Sequence, residues 1–536
     1  MDLTKEVKAW IADDPDPKTA AQLQQWLDSN NEVELRTSFS GFLQFGTAGL
    51  RGPIRPGPSG MNRAVVGRTA AGLAAYMKER NLTSVVIGRD ARYGSEDFTF
   101  ETAQIMSGAG MKVYVLPRPL PTPVLAFATN ELKCDVGIMV TASHNPPQDN
   151  GYKVYLGGTV DGIHYRGSQI VSPTDESIAQ KIDSITSLAS HPRGKEWTVL
   201  GEEVVDKYVG ITAALANKPG NLKIVYTAMH GVGTETLQQV FHKAGFPQPI
   251  LVDSQAKPDP DFPTVAFPNP EEPGAIDLAL ETARAFDADL VIANDPDADR
   301  CAAAVKDPVK GWRMLRGDEL GVIFGETIAR ATTQGILANS IVSSSILSKI
   351  AAHYKLDFRE TLTGFKWLAK IDGLTFGYEE ALGYAVDAVT VNDKDGISAA
   401  IKLAQIATDL AAQSKTLLDL LDEVWARHGF HATEQISIRL SDLSQVGVIM
   451  GNLRRNSPKE IAGRTVTSID DLAKPKDGLP PTDGLRIWLD GGIRIIIRPS
   501  GTEAKMKCYI EAIAKDSATA QTVLDQLRAP LKELLS

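Results

Sequence analysis

The sequence predicts an α/β fold in which several mixed α/β domains are followed by a smaller C-terminal α+β domain. Short β-branched runs alternate with helix-like segments through most of the chain, which is typical of largely parallel sheets. Near the C-terminus the pattern changes to two strands that are joined by a short polar loop and followed by one helix. The 536 residues correspond to about three to five domains, at ~100–200 residues each.

Each predicted strand is a short apolar run between polar or glycine-containing segments. In the α/β region these runs are Ser84–Ile87, Val113–Leu116, Val136–Val140, Ile224–Thr227, Leu290–Ala293 and Ile341–Ser345. A helix is predicted over Asp318–Arg330, because apolar residues recur at helical spacing after Asp318, a suitable N-cap. The C-terminal domain has predicted strands at Ile493–Arg498 and Lys507–Ile513 and a helix over 517–535.

The predicted domain boundaries lie near residue 205, near Arg316–Gly317 and within 428–433. They divide the chain into domains 1–205, 206–316, 317–430 and 431–536. One hypothesis is that the three α/β portions are divergent copies of one unit, which a superposition would test.

Composition and charge exclude several classes of protein. Lys and Arg total 56 against 66 Asp and Glu, and this net charge of −10 disfavours a nucleic-acid partner. No apolar run approaches the ~20 residues that span a bilayer, and the N-terminus lacks a signal-peptide pattern. We therefore expect a cytoplasmic protein with no membrane partner. Cys134, Cys301 and Cys508 are widely spaced, so we expect small buried side chains and neither a disulfide framework nor a zinc site.

The first loop that indicates chemistry is Thr141–Pro147 (TASHNPP), directly after a predicted strand. Two consecutive prolines prevent a regular helix from starting at once, so Ser143 lies on a stiff turn at a strand's carboxyl end, where ligands gather in α/β sheets. A hydroxyl needs a base or a metal to become a nucleophile, and the adjacent His144 does not by itself imply a triad. The alternative is a turn whose side chains bond the backbone.

The second loop is Asn294–Arg300 (NDPDADR), which also follows an apolar strand. If the backbone is extended, Asp295, Asp297 and Asp299 project to one side. Converging carboxylates repel one another unless a cation neutralises them, and Mg²⁺, before Ca²⁺, is the expected ion. An EF-hand is excluded, because Arg300 stands where its glycine would be. The alternative is a solvated acidic turn.

The third loop is Arg498–Glu503 (RPSGTE), between the last two predicted strands. It offers one guanidinium, two hydroxyls and the amides around a glycine, which suit a dianionic phosphate. A plain hairpin turn is the alternative. Residues 364–367 (GFKW) and 377–383 (GYEEALG) are interpreted as strand-end loops that contact sugar hydroxyls. His230–Gly233 (HGVG) lacks the third glycine of a dinucleotide fingerprint, so NAD binding is not predicted.

Together these segments resemble the α-D-phosphohexomutases, the phosphoglucomutase/phosphomannomutase family. The motifs GTAGLRG, TASHNPPQDNGYK, DPDADR, GFKW, GYEEALG and RPSGTE occur in family order over nearly the whole chain. The resemblance implies three similar mixed α/β domains plus a smaller C-terminal α+β domain around a central cleft, with one loop from each domain.

The resemblance also implies a role for each candidate residue. Ser143 is expected to carry a phosphoryl group, and a phosphoserine oxygen is expected to complete an Mg²⁺ site formed with Asp295, Asp297 and Asp299. The residues expected at the reacting phosphate, or in proton transfer, are Arg51, His144, Lys153, Arg300 and Lys394. Those expected to bind the sugar or the second phosphate are Gly364, Lys366, Glu379, Arg498, Ser500, Gly501 and Thr502.

The implied reaction converts glucose 1-phosphate and glucose 6-phosphate through a phosphoserine enzyme and bound glucose 1,6-bisphosphate, which also serves as activator. Small-molecule sugar phosphates are the expected partners. The metal loop reads DPDADR where the family usually has DGDGDR, and Ala381 stands where many phosphoglucomutases have a sugar-contacting serine. Because GYEEALGY is closer to a branch that acts on pentose phosphates or makes hexose bisphosphate, mannose, ribose and deoxyribose phosphates and bisphosphate synthesis are alternatives.

Two other classes compete with this interpretation. A Mg²⁺-dependent phosphatase of the haloacid-dehalogenase type would use a carboxylate nucleophile and would not need the TASHNP loop. A non-catalytic sugar-phosphate sensor would keep RPSGTE but would need neither the serine nor the three aspartates.

Overall fold

The computed structural model describes residues 2–46, 49–476, 478–500 and 505–535. The chain forms two compact units. The first unit comprises Met1–Leu315, Ala369–Asp372 and Gly383–Ala412, and the second comprises Arg316–Leu368, Gly373–Leu382 and Gln413–Ser536. Two of the candidate residues, Gly501 and Thr502, lie outside the described residues. Nowhere in the described part does a helix have both the length and the hydropathy needed to cross a membrane.

The first unit begins with three helices, α1 (Leu3–Asp13), α2 (Pro17–Asp28) and α3 (Glu32–Ser38). The elements that follow are β1 (Leu50–Pro53), α4 (Arg63–Glu79), β2 (Ser84–Arg89), α5 (Ser95–Gly108), β3 (Lys112–Val115), α6 (Thr122–Glu131), β4 (Val136–Val140), β5 (Asp149–Leu156), β6 (Thr159–Val160), β7 (Ile163–His164), β8 (Ser168–Gln169), α7 (Thr174–Asp183), β9 (Thr198–Val199) and α8 (Glu203–Ala213). The strand order is β1-β5-β4-β2-β3-β9, and β8 pairs with β5. Strands β4, β2 and β3 are parallel, whereas β5 is antiparallel to β4. Every residue of β4 (VGIMV) is buried, so this strand is central to the core.

A second sheet follows in the same unit. Its region contains β10 (Ile224–Thr227), α9 (Gly233–Lys243), β11 (Ile250–Leu251), a 3₁₀ turn (Asp253–Gln255), α10 (Asp277–Ala285), β12 (Leu290–Ala293), β13 (Ala302–Asp307) and β14 (Gly311–Met314). The order is β11-β10-β12-β13-β14, and β10 and β12 run parallel. Both of these strands are fully buried, and β12 leads directly into the aspartate loop.

The second unit opens with a third α/β region. Its elements are α11 (Gly317–Ala331), β15 (Ile336–Ser340), α12 (Ile346–Tyr354), β16 (Asp357–Thr361), α13 (Phe365–Leu368) and β17 (Leu374–Glu379). Strand β15 lies between β16 and β17 and is parallel to both. The chain then returns to the first unit with β18 (Gly383–Ala385) and α14 (Gly396–Ala411).

The C-terminal part of the second unit is an antiparallel sheet with helices. Its elements are α15 (Leu417–His428), β19 (Phe430–Arg439), α16 (Leu443–Arg455), β20 (Glu460–Ile461), β21 (Arg464–Asp471), β22 (Leu485–Leu489), β23 (Ile493–Pro499), β24 (Lys505–Ala514) and α17 (Ser517–Leu534). The order is β19-β24-β23-β22-β21-β20. Leu524, Leu527 and Leu531 of α17 are fully buried in its core. At about 1.5–3 kcal/mol for each such side chain, their burial holds α17 on the sheet.

Most of the predicted elements are confirmed. Strands Val136–Val140, Ile224–Thr227 and Leu290–Ala293 have the predicted bounds. The other predicted strands of the first unit and of the C-terminal region shift by a few residues at their ends. The three cysteines are buried, as expected.

The predicted strand at Ile341–Ser345 is wrong, because the strand is Ile336–Ser340 and the following residues form a turn. Side chains satisfy the backbone of this turn. Asn339 donates to the carbonyl of Ser344 at 2.7 Å, and Glu511 accepts the Ser345 N–H at 2.8 Å. With these partners the turn needs no neighbouring strand.

The predicted N-cap is also wrong. The helix begins at Gly317 with Arg316 as its N-cap, and Glu319 accepts the Arg316 N–H at 2.8 Å. Asp318 is buried and accepts hydrogen bonds from the Ser344 N–H at 2.7 Å and the Tyr378 hydroxyl at 2.9 Å. The Asp318 carboxylate therefore makes tertiary hydrogen bonds instead of capping its own helix.

Candidate active site

Two loops of the first unit meet where strands β4 and β12 end. Ser143 follows β4 and Asp295 follows β12. The Ser143 hydroxyl donates to Asp295 Oδ2 at 2.9 Å, although 152 residues separate the two in sequence. Both side chains are buried. The geometry places a hydroxyl oxygen directly against a carboxylate, in a setting that little water reaches.

Three carboxylates form one cluster at this point, which we call the aspartate cluster: Asp295, Asp297 and Asp299. One oxygen from each lies within 4.8 Å of the others, and all three residues are at most 1 % exposed. The extended backbone assumed from sequence is wrong, because the loop turns. The Ala298 N–H donates to the Asp295 carbonyl at 2.8 Å, and Ala298 has φ +54°. The turn, rather than strand alternation, makes the carboxylates converge.

The donor set of the aspartate cluster fits a hard divalent cation. Asp297 Oδ1 and Asp299 Oδ1 are buried and have no hydrogen-bond partner among the described residues. A buried carboxylate oxygen with no partner loses its hydration without compensation, and a Mg²⁺ ion would supply what is missing. Burial, followed by the charges of Asp297 and Asp299, raises the pKa of Asp295 well above its ordinary value. The position of Asp295 therefore favours neutralisation of its carboxylate, by a proton or by a cation.

Two lysines offset part of this charge. Lys153 on β5 donates to Asp297 Oδ2 at 2.7 Å and to Asp299 Oδ2 at 2.9 Å, and Lys394 Nζ lies 3.3 Å from Asp299 Oδ2. Burial alone would raise the pKa of Asp299, but the two ammonium groups outweigh it and hold this pKa below its ordinary range. Gly383 lets Lys394 reach the site, because a Cβ there would lie 2.4 Å from the lysine stem.

The HGVG segment has a structural role at this site. A Cβ on Gly231 would lie 2.3 Å from Pro296 Cα, so only glycine permits the two backbones to come this close. The Val232 N–H donates to the Pro296 carbonyl at 2.8 Å. The glycines that resembled part of a dinucleotide motif therefore hold the aspartate loop in place.

The serine loop carries further candidate groups. His144 Nδ1 lies 3.2 Å from Ser143 Oγ, and burial followed by the charge of Arg300 lowers the pKa of His144 well below its ordinary value, so the ring is neutral near pH 7. Arg51 is exposed and donates to Asn145 Oδ1 at 3.2 Å. The Arg300 backbone N–H donates to Asp295 Oδ1 at 3.0 Å. The first unit thus brings together Ser143, the three aspartates, His144, Lys153, Arg300 and Lys394.

The candidate sugar-binding residues lie in the second unit. Glu379 ends β17 and accepts the Gly364 N–H at 2.6 Å. Gly364 has φ +110°, a conformation that favours glycine. Lys366 is largely buried, and its ammonium lies 5.7 Å from the centre of the Trp367 ring. The GFKW and GYEEALG segments therefore meet at one end of the sheet, although β15 separates β16 from β17.

The candidate phosphate loop joins β23 and β24. Arg498 pairs with Lys507 across the hairpin, and the Ser500 N–H donates to the Lys505 carbonyl at 2.8 Å. Arg498 and Ser500 are the candidate residues of this loop that fall within the described part of the chain.

The sequence did not indicate two groups of contacts, one at the aspartate cluster and one in the second unit. Thr122, at the start of α6, donates its hydroxyl to Asp297 Oδ2 at 2.6 Å. In the second unit, Arg494 on β23 contacts Glu511 Oε2 at 2.9 Å and Glu360 Oε1 at 3.0 Å, and Glu511 Oε1 lies 3.0 Å from His431 Nδ1. We call Arg494, Glu511, Glu360 and His431 the Arg–Glu cluster. No local motif predicts either contact, because the partners are distant in sequence.

Comparison with known proteins completes this description. The chain matches the four domains of one family, described as "Phosphoglucomutase/phosphomannomutase", with alpha/beta/alpha domain I at residues 43–189, domain II at 204–311, domain III at 316–428 and the C-terminal domain at 450–529. The predicted architecture of three α/β domains followed by a smaller C-terminal domain is confirmed by these matches.

Individual relatives carry three different names. A "Probable phosphomannomutase" of Haemophilus influenzae is 49% identical, over 89% of this chain and 98% of that protein. A "Phosphopentomutase" of Mus musculus is 33% identical, over 99% of this chain and 94% of that protein. A "Phosphoglucomutase" of Staphylococcus haemolyticus is 33% identical, over 92% of this chain and 94% of that protein. The relatives agree on the reaction type and differ in the sugar.

Proposed function

We propose that this protein interconverts glucose 1-phosphate and glucose 6-phosphate. The chain belongs to the phosphoglucomutase/phosphomannomutase family and is an enzyme of the phosphohexomutase type. The observation that supports phosphoryl transfer is the contact between the Ser143 hydroxyl and Asp295, at 2.9 Å. Beside it lie Asp297 Oδ1 and Asp299 Oδ1, which have no hydrogen-bond partner in the described part of the chain. A phosphatase of the haloacid-dehalogenase type would not require a serine at this point.

The three aspartates and a phosphoserine oxygen would hold Mg²⁺, which supplies charge neutralisation on the transferring phosphoryl group. Ser143 acts as the phosphoryl donor: the bond between its Oγ and phosphorus breaks as a sugar hydroxyl oxygen bonds to phosphorus. The sugar hydroxyl gives up its proton in that step, and one proton is returned to Ser143 Oγ as its bond to phosphorus breaks. Ser143 then recovers a phosphoryl group from the other end of the bisphosphate.

The surrounding residues of the first unit position and neutralise the reacting groups. Lys153 and Lys394 fix the carboxylates of Asp297 and Asp299 and leave one oxygen of each available. The neutral His144 ring, 3.2 Å from Ser143 Oγ, offers a nitrogen that accepts the serine proton when Ser143 is rephosphorylated. In the second unit, Glu379 is proposed to bind sugar hydroxyls.

Phosphate recognition is assigned to the RPSGTE loop. Arg498 supplies a guanidinium, which binds a phosphate through two parallel hydrogen bonds. Ser500 supplies a hydroxyl on the same hairpin. This loop is proposed to hold whichever phosphate of the sugar is not reacting.

A second substrate class has a specific observation in its favour. Ala381 removes the hydroxyl that a serine would offer to the sugar at this position, and a relative over nearly the full chain is a phosphopentomutase. Loss of a hydrogen-bond partner weakens discrimination between sugars, so ribose 1-phosphate is the main competitor. Mannose 1-phosphate follows, since the 49% identical relative is named as a mannose enzyme.

The chemical step is tested with Ser143→Ala. Wild-type protein incubated with glucose 1,6-bisphosphate should gain one phosphoryl group, located at Ser143 by fragment mass spectrometry. The variant should gain none and should lose turnover while keeping its circular dichroism spectrum. Near-normal turnover in the variant would refute the assignment.

The substrate is tested with a coupled assay of glucose, mannose and ribose 1-phosphates, each with and without a catalytic amount of sugar bisphosphate. We expect the highest kcat/KM with glucose 1-phosphate and a requirement for the bisphosphate. A higher value for ribose or mannose would reassign the substrate but keep the mutase. Steady release of inorganic phosphate without isomerisation would support the phosphatase.

A further inference from the structure

One buried arginine outside the candidate set holds the serine loop. Arg92, which is 4 % exposed, donates from Nη2 to the carbonyls of Ser143 and Asn145, both at 2.6 Å. From Nη1 it donates to the carbonyls of Pro146 at 2.8 Å and Asp149 at 3.2 Å. A single guanidinium therefore satisfies four backbone acceptors of the loop that carries the proposed nucleophile. Only arginine has donors arranged in a planar fork that can do this.

The same loop is fixed from its other side by Asp90. Its carboxylate accepts the Thr141 hydroxyl at 2.6 Å and the Arg92 N–H at 3.0 Å. The Thr141 oxygen in turn accepts the Ser143 N–H at 2.9 Å. Arg92 thus holds the Ser143 carbonyl directly, and Asp90 holds the Ser143 N–H through the Thr141 hydroxyl.

This double hold has a conformational consequence. Ser143 has φ +53°, in the left-handed region, which is strained for a residue other than glycine. Such a conformation persists only where the surroundings enforce it. In this conformation the Ser143 hydroxyl reaches Asp295, so the strain lies at the atom proposed to react.

Arg92 also links the serine loop to the aspartate loop. The face of its guanidinium lies 4.8 Å from the centre of the Phe262 ring. Phe262 packs in a buried cluster with Met229, and Gly231, two residues further along, lies against Pro296 of the aspartate loop. The buried residues around Phe262 and Met229 therefore connect the serine loop to the aspartate loop.

We propose that Arg92 is a positioning residue for phosphoryl transfer, which holds Ser143 in the left-handed conformation and its Oγ beside the aspartate cluster. This inference rests on the proposed function, because it assigns Arg92 to the step in which Ser143 gains and gives up its phosphoryl group. Among the described residues, Arg92 makes no hydrogen bond to the aspartate cluster or to the two lysines that contact this cluster. Arg92 therefore acts through the serine loop.

The test uses the full chain with Arg92→Met, which keeps an unbranched apolar stem and removes the guanidinium donors. We expect kcat to fall about 100-fold with KM for the sugar phosphate unchanged, because a displacement of about 1 Å in a reacting group costs this much. The rate at which glucose 1,6-bisphosphate phosphorylates Ser143, followed by intact mass, should fall by the same factor.

A chemical rescue separates positioning from mere stability. Arg92→Ala leaves space for a guanidinium ion, and guanidinium chloride below denaturing concentrations should restore part of the lost kcat. Sodium chloride at equal ionic strength should not. Arg63→Met is the matched control: Arg63 is also in the first unit and contacts Glu101, and this variant should keep the wild-type phosphorylation rate.

A second variant covers the case in which Arg92 variants do not fold. Phe262→Leu keeps every donor of Arg92 and removes only the aromatic ring against it, and we expect kcat to fall about fivefold, since the cation–π contact helps to hold the guanidinium in place. The proposal is overturned if Arg92→Met or Phe262→Leu, per folded molecule, phosphorylates at the wild-type rate, or if the guanidinium ion restores nothing. If wild-type Ser143 is itself never phosphorylated, the proposed function fails instead.

Discussion

The two buried charge clusters of this protein differ in how their charges are balanced. In the aspartate cluster of the first unit, two lysines and the charge of Arg300 face three carboxylates, and Asp297 Oδ1 and Asp299 Oδ1 have no hydrogen-bond partner within the described part of the chain. In the Arg–Glu cluster of the second unit, Glu511 has a partner at each oxygen, namely Arg494 on one side and the Ser344 hydroxyl and His431 on the other.

The pKa shifts follow this difference. In the Arg–Glu cluster, burial alone would raise the pKa of Glu511, but Arg494 and the hydrogen bonds outweigh it and hold the pKa at about 2. In the aspartate cluster, burial and the like charges of its neighbours raise the pKa of Asp295 well above its ordinary value. A buried carboxylate whose two oxygens are both paired within the protein, as in Glu511, is structural, whereas carboxylates that keep unmatched buried oxygens could bind a cation.

The largest expected effect is that of a substitution in the aspartate cluster. Asp297→Asn removes one charge and one ligand, and we expect kcat to fall by about 10³-fold or more, because charge neutralisation dominates phosphoryl transfer. Steady-state kinetics at saturating Mg²⁺ measures this. Asp287→Asn is the control, since this aspartate is exposed in the same unit and should leave kcat unchanged. A variant of Asp297 with normal kcat would break the comparison.

Next in size is the response of the satisfied cluster. Glu511→Gln removes the buried charge partner of Arg494, which keeps only the partly exposed Glu360, and we expect the free energy of unfolding to fall by about 3 kcal/mol in denaturant titration. Below that transition, phosphorylation of Ser143 should proceed at the wild-type rate. Glu434→Gln is matched to it, because Glu434 pairs with the half-exposed Arg528, and such a pair contributes about 0–1 kcal/mol. Equal effects of the two variants would contradict the structural role.

The pH dependence of stability sharpens the same point. Folding lowers the pKa of Glu511 from 4.5 to about 2, so its contribution is complete above the unfolded value and is lost as pH falls through the folded one. We expect the difference in unfolding free energy between wild type and Glu511→Gln to be constant above about pH 5 and to shrink by about 3 kcal/mol toward pH 2. A difference that stays flat over this range would exclude an ionised, paired Glu511.

The smallest expected effect is on stability with added metal. An ion that binds only the folded state stabilises it by about 2.7 kcal/mol at one hundred times its Kd. Mg²⁺ should therefore raise the Tm of the wild type in calorimetry, with Ca²⁺ as the comparison ion. Asp297→Asn should lose this rise, and Glu511→Gln should keep it. An identical rise in all three proteins would show binding elsewhere.

Much of the fold could be predicted from local sequence. Fully apolar runs such as Val136–Val140 and Leu290–Ala293 are strands because a buried parallel strand needs apolar side chains on both faces. Where local polar residues had a choice of partners the prediction failed. Asp318 bonds across the second unit instead of capping its helix, and the Ile341–Ser345 run is a turn held by side chains. The domain boundaries and the roles of the site residues stay predictions.

The sequence by itself determined the chemistry of this protein: a serine after one buried strand, three aspartates in alternate positions after another, and six motifs in the order of one family. It could do so because residue type and short spacing set which ligands a loop attracts. Tertiary structure alone decided which groups work together. Packing brings Arg92 into contact with Ser143, 51 positions away, and Thr122 into contact with Asp297, 175 positions away. It also places Glu511 opposite Arg494 on paired strands. Short spacing in the sequence indicates none of these contacts.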